Sequence, residues 1–306
     1  MKKVVLGSRG SRLALRQTEM VREGLVEAFP GLQTDLVIIH TQGDKILDVP
    51  LAKVGGKGLF VKEIEDALLD NRCDVAVHSL KDVPAELPGG LILGACLARD
   101  VPFDALVSER YPTVNDLPEG AKVGTSSLRR ACQLAALRPD LAIVSLRGNV
   151  ETRLRKLGTE GLDAIVLAAA GLRRLGMGDR IASLLEPPAF VPAVGQGIVV
   201  IECREDDRDV RHFMMAQEDG PTRVAMRAER AFLATMGGGC QVPLGAFAQV
   251  EGDTLSMIGM VGRPDGTQIL KQSRRGALWS PEAMGRELAQ ALLDEGGRAI
   301  LDALLV

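Results

Sequence analysis

The feature that most restricts the fold of this chain is an alternation, through its first two-thirds, of short β-branched runs with amphipathic stretches of helical period. Residues 3–6, 34–40, 75–78, 91–97, 123–124, 143–146 and 164–167 have the length and composition of buried strands. Between them, residues 13–27, 61–69, 128–137 and 150–157 repeat apolar side chains at three and four, which predicts helices. Parallel strands need a long crossover, usually a helix, so the pattern predicts mostly parallel sheets covered by helices. Two stretches interrupt it, residues 99–103 and the Pro-rich 186–192, and both read as crossings between domains. After about Asp219 the character changes. A helix over 222–236 leads to Gly237-Gly238-Gly239-Cys240. Three strand-like runs follow, with a Pro264-Asp265-Gly266 turn between the second and third, and then helical material over 281–305. No internal sequence repeat accompanies this pattern. A length of 306 residues suits two or three domains, and 46% apolar residues are enough for several cores.

Composition removes several function classes. Aromatic residues are 3% of the chain and the formal net charge is −3, which disfavours base stacking and general phosphate-backbone binding. The longest apolar run, near 164–170, is far short of the ~18 residues of a membrane helix. The opening residues reach Ser8 and Arg9 before an apolar signal region could form, so no targeting segment is expected. Five cysteines without a C-x-x-C pair read as reduced thiols of a cytoplasmic protein. Cys73, Cys96, Cys132 and Cys203 sit among apolar neighbours and read as core thiols. Cys240 follows three glycines, where a thiol is accessible and able to react. His40, His78 and His212 show no metal-ligand spacing, so no metal is expected.

Polar groups collect where strands end. The first strand runs into Ser8-Arg9-Gly10-Ser11, and that at Val75 into Ser79-Leu80-Lys81-Asp82. The strand at Val123 runs into Thr125-Ser126-Ser127-Leu128-Arg129-Arg130, and that at Ile143 into Arg147-Gly148-Asn149. Open α/β sheets bind ligands at strand carboxyl ends. Arg12, Arg129 and Arg130 fall in first turns of helices, where a cation opposes the helix dipole unless an anion is shared with the free N–H groups. Four such clusters point to an anionic ligand. Asp82, a carboxylate amid these cations, suits proton donation or stabilisation of a cation. The Lys53–Phe60 stretch lacks the spacing of a P-loop and reads as a lid.

These residues resemble a known family. Val77-His78-Ser79-Leu80-Lys81-Asp82-Val83-Pro84, Gly124-Thr125-Ser126-Ser127-Leu128-Arg129-Arg130, Leu146-Arg147-Gly148-Asn149 and Pro192-Ala193-Val194-Gly195-Gln196-Gly197 are similar to the motifs of hydroxymethylbilane synthases. Gly238-Gly239-Cys240-Gln241-Val242-Pro243 resembles that family's cofactor-attachment motif. The likeness runs in order from Gly7 to about Gly245; Pro102-Phe103, Ile198-Val199-Val200 and residues 217–221 depart from it, none on a motif that carries chemistry.

The resemblance implies an α/β protein of three domains. Residues 1–98 with 198–216 would form the first and 103–191 the second, both resembling type II periplasmic binding proteins and facing each other across a cleft. Residues 219–306 would form a small α+β domain with a three-stranded sheet, carrying the Cys240 loop. It further implies a transferase of tetrapyrrole and heme biosynthesis that condenses four porphobilinogens head to tail on a dipyrromethane cofactor, then releases hydroxymethylbilane by hydrolysis. The cofactor would be joined to Cys240 through a thioether, with Lys81, Ser79, Thr125, Ser126, Ser127, Arg129, Arg130 and Arg153 holding it. Arg9, Ser11, Gln17, Phe60, Arg147, Asn149, Arg174 and Gln196 would bind substrate or the growing chain, and Asp82 would be catalytic. Arginine forks suit the two carboxylates on every pyrrole ring. The implied protein is a cytoplasmic monomer with no nucleic-acid or membrane partner. A two-lobed anion-binding regulatory module would share the fold, but has no use for the glycine-flanked cysteine or for Asp82.

Overall fold

The computed structural model describes residues 3–45, 61–237 and 242–304. The strands are β1 (Lys3–Ser8), β2 (Gln33–Ile38), β3 (Val75–Ser79), β4 (Leu91–Cys96), β5 (Asp104–Val107), β6 (Lys122–Gly124), β7 (Ala142–Val144), β8 (Ala164–Ala168), β9 (Ser183–Leu185), β10 (Val199–Arg204), β11 (Leu244–Glu251), β12 (Thr254–Gly262) and β13 (Ile269–Ala277). The helices are α1 (Arg12–Ala28), α2 (Gln42–Lys45), α3 (Lys62–Leu69), α4 (Leu128–Leu137), α5 (Val150–Thr159), α6 (Ala169–Arg174), α7 (Arg208–Met215), α8 (Gly220–Thr235), α9 (Pro281–Leu292) and α10 (Arg298–Asp302). Among the described residues no helix is long and apolar enough to cross a membrane. The chain divides into two compact units, Met1–Asp100 with Ile198–Arg223, and Val101–Gly197 with Val224–Val306.

The first unit is built on a five-stranded sheet of order β2-β1-β3-β10-β4. β2, β1 and β3 are parallel, and β10 runs antiparallel between β3 and β4. Strand alternation sends Val4, Leu6, Val75 and Val77 to one face, against Val21 and Leu25 of α1. Ala76 takes the other face with Ile64, Ala67 and Leu68 of α3. A sheet buried on both faces needs apolar residues at successive positions, which is why these strands read as continuous runs.

The second unit contains two sheets. The first, of order β7-β6-β8-β5-β9, repeats the plan of the first unit's sheet: β7, β6 and β8 are parallel, and the fourth strand, β5, is antiparallel to both neighbours. In each sheet the reversed strand begins within a few residues of a unit boundary, β5 just after Val101 and β10 just after Ile198. The plan is thus repeated although the sequence is not. The other sheet is the antiparallel meander β11-β12-β13, turned at Asp265-Gly266 as its sequence predicts. It packs on α8 and α9 around Phe232, Leu255, Met257, Leu288 and Leu292.

α8 and α9 approach so closely that a Cβ on Gly285 would lie 2.1 Å from the Ala228 carbonyl oxygen. Glycine to alanine inside a helix ordinarily gains about 0.5–1 kcal/mol. Here the contact dominates, so Gly285→Ala is expected to lower stability by about 1–3 kcal/mol. Denaturant unfolding of the variant beside wild type checks the sign.

Candidate functional site

In the first unit, β1 and β3 are parallel neighbours, so their carboxyl ends emerge on one edge of the sheet. Ser8 closes β1, Arg9 follows it, and Ser11 caps α1 by accepting from the Ala14 N–H at 3.3 Å. β3 ends at Ser79 and passes into a 3-10 turn, Leu80–Asp82. Gln17 of α1 is buried and donates its Nε2 to Ser79 Oγ at 2.7 Å, which ties the two strand ends together. The Leu80 N–H donates to the Ile198 carbonyl at 3.0 Å, so the turn hangs from both β3 and the start of β10. Lys81 and Asp82 are half-buried on this edge.

In the second unit, β7, β6 and β8 likewise end together. Thr125 is buried, and its N–H continues the ladder to the Val144 carbonyl at 2.9 Å. Ser126 Oγ donates to the Leu146 carbonyl at 2.6 Å, and Ser127 caps α4 by accepting from the Arg130 N–H at 3.4 Å. Asn149 caps α5 by accepting from the Thr152 N–H at 2.8 Å. Arg153 donates Nε to the Gly148 carbonyl at 2.7 Å, and Arg174, closing α6, donates to the Gly197 carbonyl at 2.6 Å. Arg147 and Asn149 lie between β7 and α5, half-buried and exposed respectively. Cys240 and Phe60, with the glycine-rich stretch of the expected lid, lie outside the described residues.

Arg129 and Arg130 differ from their reading as cations of an open helix terminus. They are 4% and 6% exposed, and both turn their guanidinium groups onto Asp104. Arg129 places its two terminal nitrogens 2.7 and 3.2 Å from the carboxylate oxygens; Arg130 donates Nε at 2.8 Å. Arg129 also donates to the Val191 carbonyl at 2.8 Å, and Arg130 to the Val166 carbonyl at 3.0 Å. Gln196 is equally buried and donates Nε2 to the Pro102 carbonyl at 2.7 Å and to Asp104 at 3.2 Å. Gln133 braces the Pro-rich crossing, exchanging bonds with the Val191 N–H and carbonyl. On the far side β11 comes so near that a Cβ on Gly245 would stand 2.5 Å from the Pro192 carbonyl oxygen and 3.0 Å from Arg129 Cδ.

Burial by itself would push the Asp104 carboxyl up. The charges of Arg129 and Arg130, with their hydrogen bonds, outweigh it and hold the group at about 2. Asp104 and Gln133 are absent from the residues that the sequence marks. The available signal for Asp104 was a carboxylate opening the otherwise apolar run Asp104-Ala105-Leu106-Val107. Two cations share one anion, so these three groups together keep one net positive charge. The four cysteines expected in cores are buried, and burial raises their thiols to about 11 or 12.

A family model described as the dipyromethane cofactor binding domain of porphobilinogen deaminase matches residues 4–212, and one for the C-terminal domain of porphobilinogen deaminase matches residues 224–294. The chain belongs to the porphobilinogen deaminase family. A porphobilinogen deaminase of Roseiflexus sp. (strain RS-1) is 54% identical over 298 residues, which is 97% of this chain and 98% of that protein. One from Syntrophobacter fumaroxidans is 52% identical over 299 residues, covering 98% and 97%. Among solved structures, the methionine binding protein MetQ aligns with a TM-score of 0.47 at 15% identity, covering 72% of this chain and 92% of that one.

Asp104→Asn leaves two buried guanidinium charges without an anion. Loss of one partner from a buried pair costs about 3–5 kcal/mol, so a large drop in melting temperature is expected. Because the Asp104 group is depressed from 3.8 to about 2, its stabilising contribution is complete above about 4 and is lost as pH falls through 2. Wild type and variant should therefore converge in stability toward about pH 2, measured by denaturant unfolding across that range.

Proposed function

We infer that this protein is a hydroxymethylbilane synthase: a transferase that condenses four porphobilinogens, with loss of ammonia, on a dipyrromethane cofactor. The observation that carries the reading is identity above 50% along almost the whole length of curated porphobilinogen deaminases. The strand-end chemistry supports it, because pyrrole acetates and propionates are carboxylates and cations follow strand ends in each unit. A regulatory anion binder would satisfy the fold, but not this kinship.

The residues fit the group. The net positive hub of Arg129, Arg130 and Asp104 would receive cofactor carboxylates, assisted by Arg153 beside the α5 N-terminus and by Thr125, Ser126 and Ser127 at α4. Lys81 and Ser79 would do so from the first unit. When bound, the cofactor supplies the unsubstituted pyrrole carbon at which the chain grows. Its thioether to Cys240 would make the thiol an anchor, leaving the primer in place on release of product. Arg9, Ser11, Gln17, Phe60, Arg147, Asn149, Arg174 and Gln196 would bind substrate and the growing chain. For Gln196 the burial beside Asp104 favours action through the hub.

Asp82 would sit under the substrate pyrrole nitrogen. Loss of ammonia leaves positive charge on that ring, and a fixed carboxylate stabilises it. The same carboxyl group would hold the proton handed to the departing amine. The three-domain division given above, a monomeric state and a cytoplasmic location complete the reading.

Purified protein should weigh more than its chain by two linked pyrroles, all on Cys240, and should colour with acidic aldehyde reagent. The mass on Cys73, Cys96, Cys132 or Cys203, or no added mass in active enzyme, would contradict the reading. Asp82→Asn should keep the dipyrrole and bind porphobilinogen while kcat falls by ~10²–10³. A near-normal kcat with the cofactor in place would remove Asp82 from the chemistry.

A further inference from the structure

On the face of the first unit's sheet that packs against α3, three titratable side chains are buried away from water. Glu65 comes from α3, His78 from β3 and Glu202 from β10, with exposures of 6%, 5% and 0%. Strand alternation puts them there. Val75 and Val77 face α1, so His78 shares the opposite face with Ala76. Glu202 is out of phase with Ile201 and Cys203 and stands across the ladder from Ala76.

His78 Nε2 lies 2.9 Å from Glu202 Oε2, yet the ring N–H does not point at that oxygen. Both Glu202 oxygens and Glu65 Oε1 lack a hydrogen-bond partner among the described residues. Buried carboxylate oxygens without partners are rare in folded proteins. Both acids stand on the face of the sheet that α3 covers, and one proton retained by the pair supplies a donor and leaves one negative charge to face the imidazole.

Among the described residues, the other groups nearby do not offer an alternative. On α3, Glu63 accepts from the Gln42 N–H, and Asp66 adds negative charge. On β10, Arg204 is committed to Asp74, Asp207 and the carbonyls of Leu68 and Cys73. The Cys73 thiol stays neutral, raised to about 11 by burial. Burial first, then the charge of Glu202, pushes the Glu65 carboxyl up to about 7, against the opposing effect of His78.

We propose that Glu65 and Glu202 share one proton beside His78, that this proton clamps α3 and β10 onto β3, and that the clamp positions the Leu80–Asp82 turn for catalysis. The path is short. His78 adjoins Ser79, which pairs with Val199 of β10, and the next N–H, that of Leu80, is held by Ile198. The turn thus hangs from the two strands that the clamp joins. Glu65, His78 and Glu202 are positioning residues, and the inference rests on the role given to Asp82. The sign of the pH dependence is fixed. A carboxyl raised from 4.5 to about 7 by folding contributes stability that is complete below about 4.5 and lost as pH rises through 7. Alkaline pH should also slow turnover, because the ionised Glu65 can no longer donate.

The test compares cofactor-loaded wild type, Glu65→Gln and Glu65→Leu between about pH 6 and about pH 8.5. Gln keeps a donor at every pH; Leu has none. Infrared difference spectra of wild type should show a protonated-carboxyl band that disappears as pH rises and is missing from Glu65→Gln. The kcat of wild type should fall severalfold relative to that of Glu65→Gln over this range, with KM changing less than about twofold. Glu65→Leu should lose about tenfold in kcat at every pH while retaining the dipyrrole. Persistence of the band in Glu65→Gln, or one shared kcat–pH profile for all three proteins, would overturn the proposal. The band, and the melting-temperature difference between wild type and Glu65→Gln as a function of pH, judge the clamp without any assay of turnover. Absence of dipyrrole and of porphobilinogen consumption from all three proteins would instead refute the functional reading.

Discussion

Two guanidinium groups and one carboxylate are held out of water at the carboxyl edge of the second unit's sheet, and much of that unit follows from keeping them there. Desolvating three charges costs several kcal/mol per ion unless geometry and extra hydrogen bonds return it. The return comes from the Val166 and Val191 carbonyls, the Gln196 amide and the forked contacts of Arg129 and Arg130 on Asp104. Topology supplies the location. β5 runs against its neighbours, so its first residue, Asp104, stands beside Ala168, the last of β8. A carboxylate at the start of a parallel strand would have been carried to the opposite edge.

The meander sheet is fastened to this arrangement by a second buried carboxylate. Glu229 of α8 is fully buried and accepts from the Gly195 N–H at 2.6 Å and the Ala248 N–H at 2.8 Å. One side chain therefore links the Pro192–Gly197 motif to β11, while Cys132, Val191 and Met260 close the gap with apolar contact. Glycine at 245 lets that strand lie against the stem of Arg129. Carboxylates that accept from backbone N–H groups fix loops more rigidly than apolar packing, because the bonds are directional.

Much of this was legible in the sequence. The strands around residues 3, 75, 123 and 164 were apparent because burial on both faces enforces unbroken apolar runs. β5, β9 and β10 escaped notice for particular reasons. β9 has three residues, and β5 and β10 each contain a buried acid, Asp104 or Glu202, that a pattern of apolar residues rejects. At the site, hydroxyls, amides and cations announced themselves by clustering after strands. The pairing of Arg129 and Arg130 with Asp104 did not, because the partner lies 25 and 26 positions upstream on a reversed strand. The acids of the α3 face were hidden likewise, since a glutamate inside an amphipathic helix looks like a solvated residue until the fold buries it.

The reversed strands also fix an order of events at the ribosome. β10 occupies an interior slot between β3 and β4, yet it is synthesised more than 100 residues after either. Until it emerges, two strands of the first sheet present unpaired backbone edges to the crowded surroundings of a nascent chain. The first unit therefore cannot complete its sheet while residues 101–197 of the second are being made. The second can close its own five-stranded sheet by β9, before β10 leaves the exit tunnel. The half of the protein that begins the polypeptide is the later of these two sheets to be finished, and chaperone demand should concentrate in that interval.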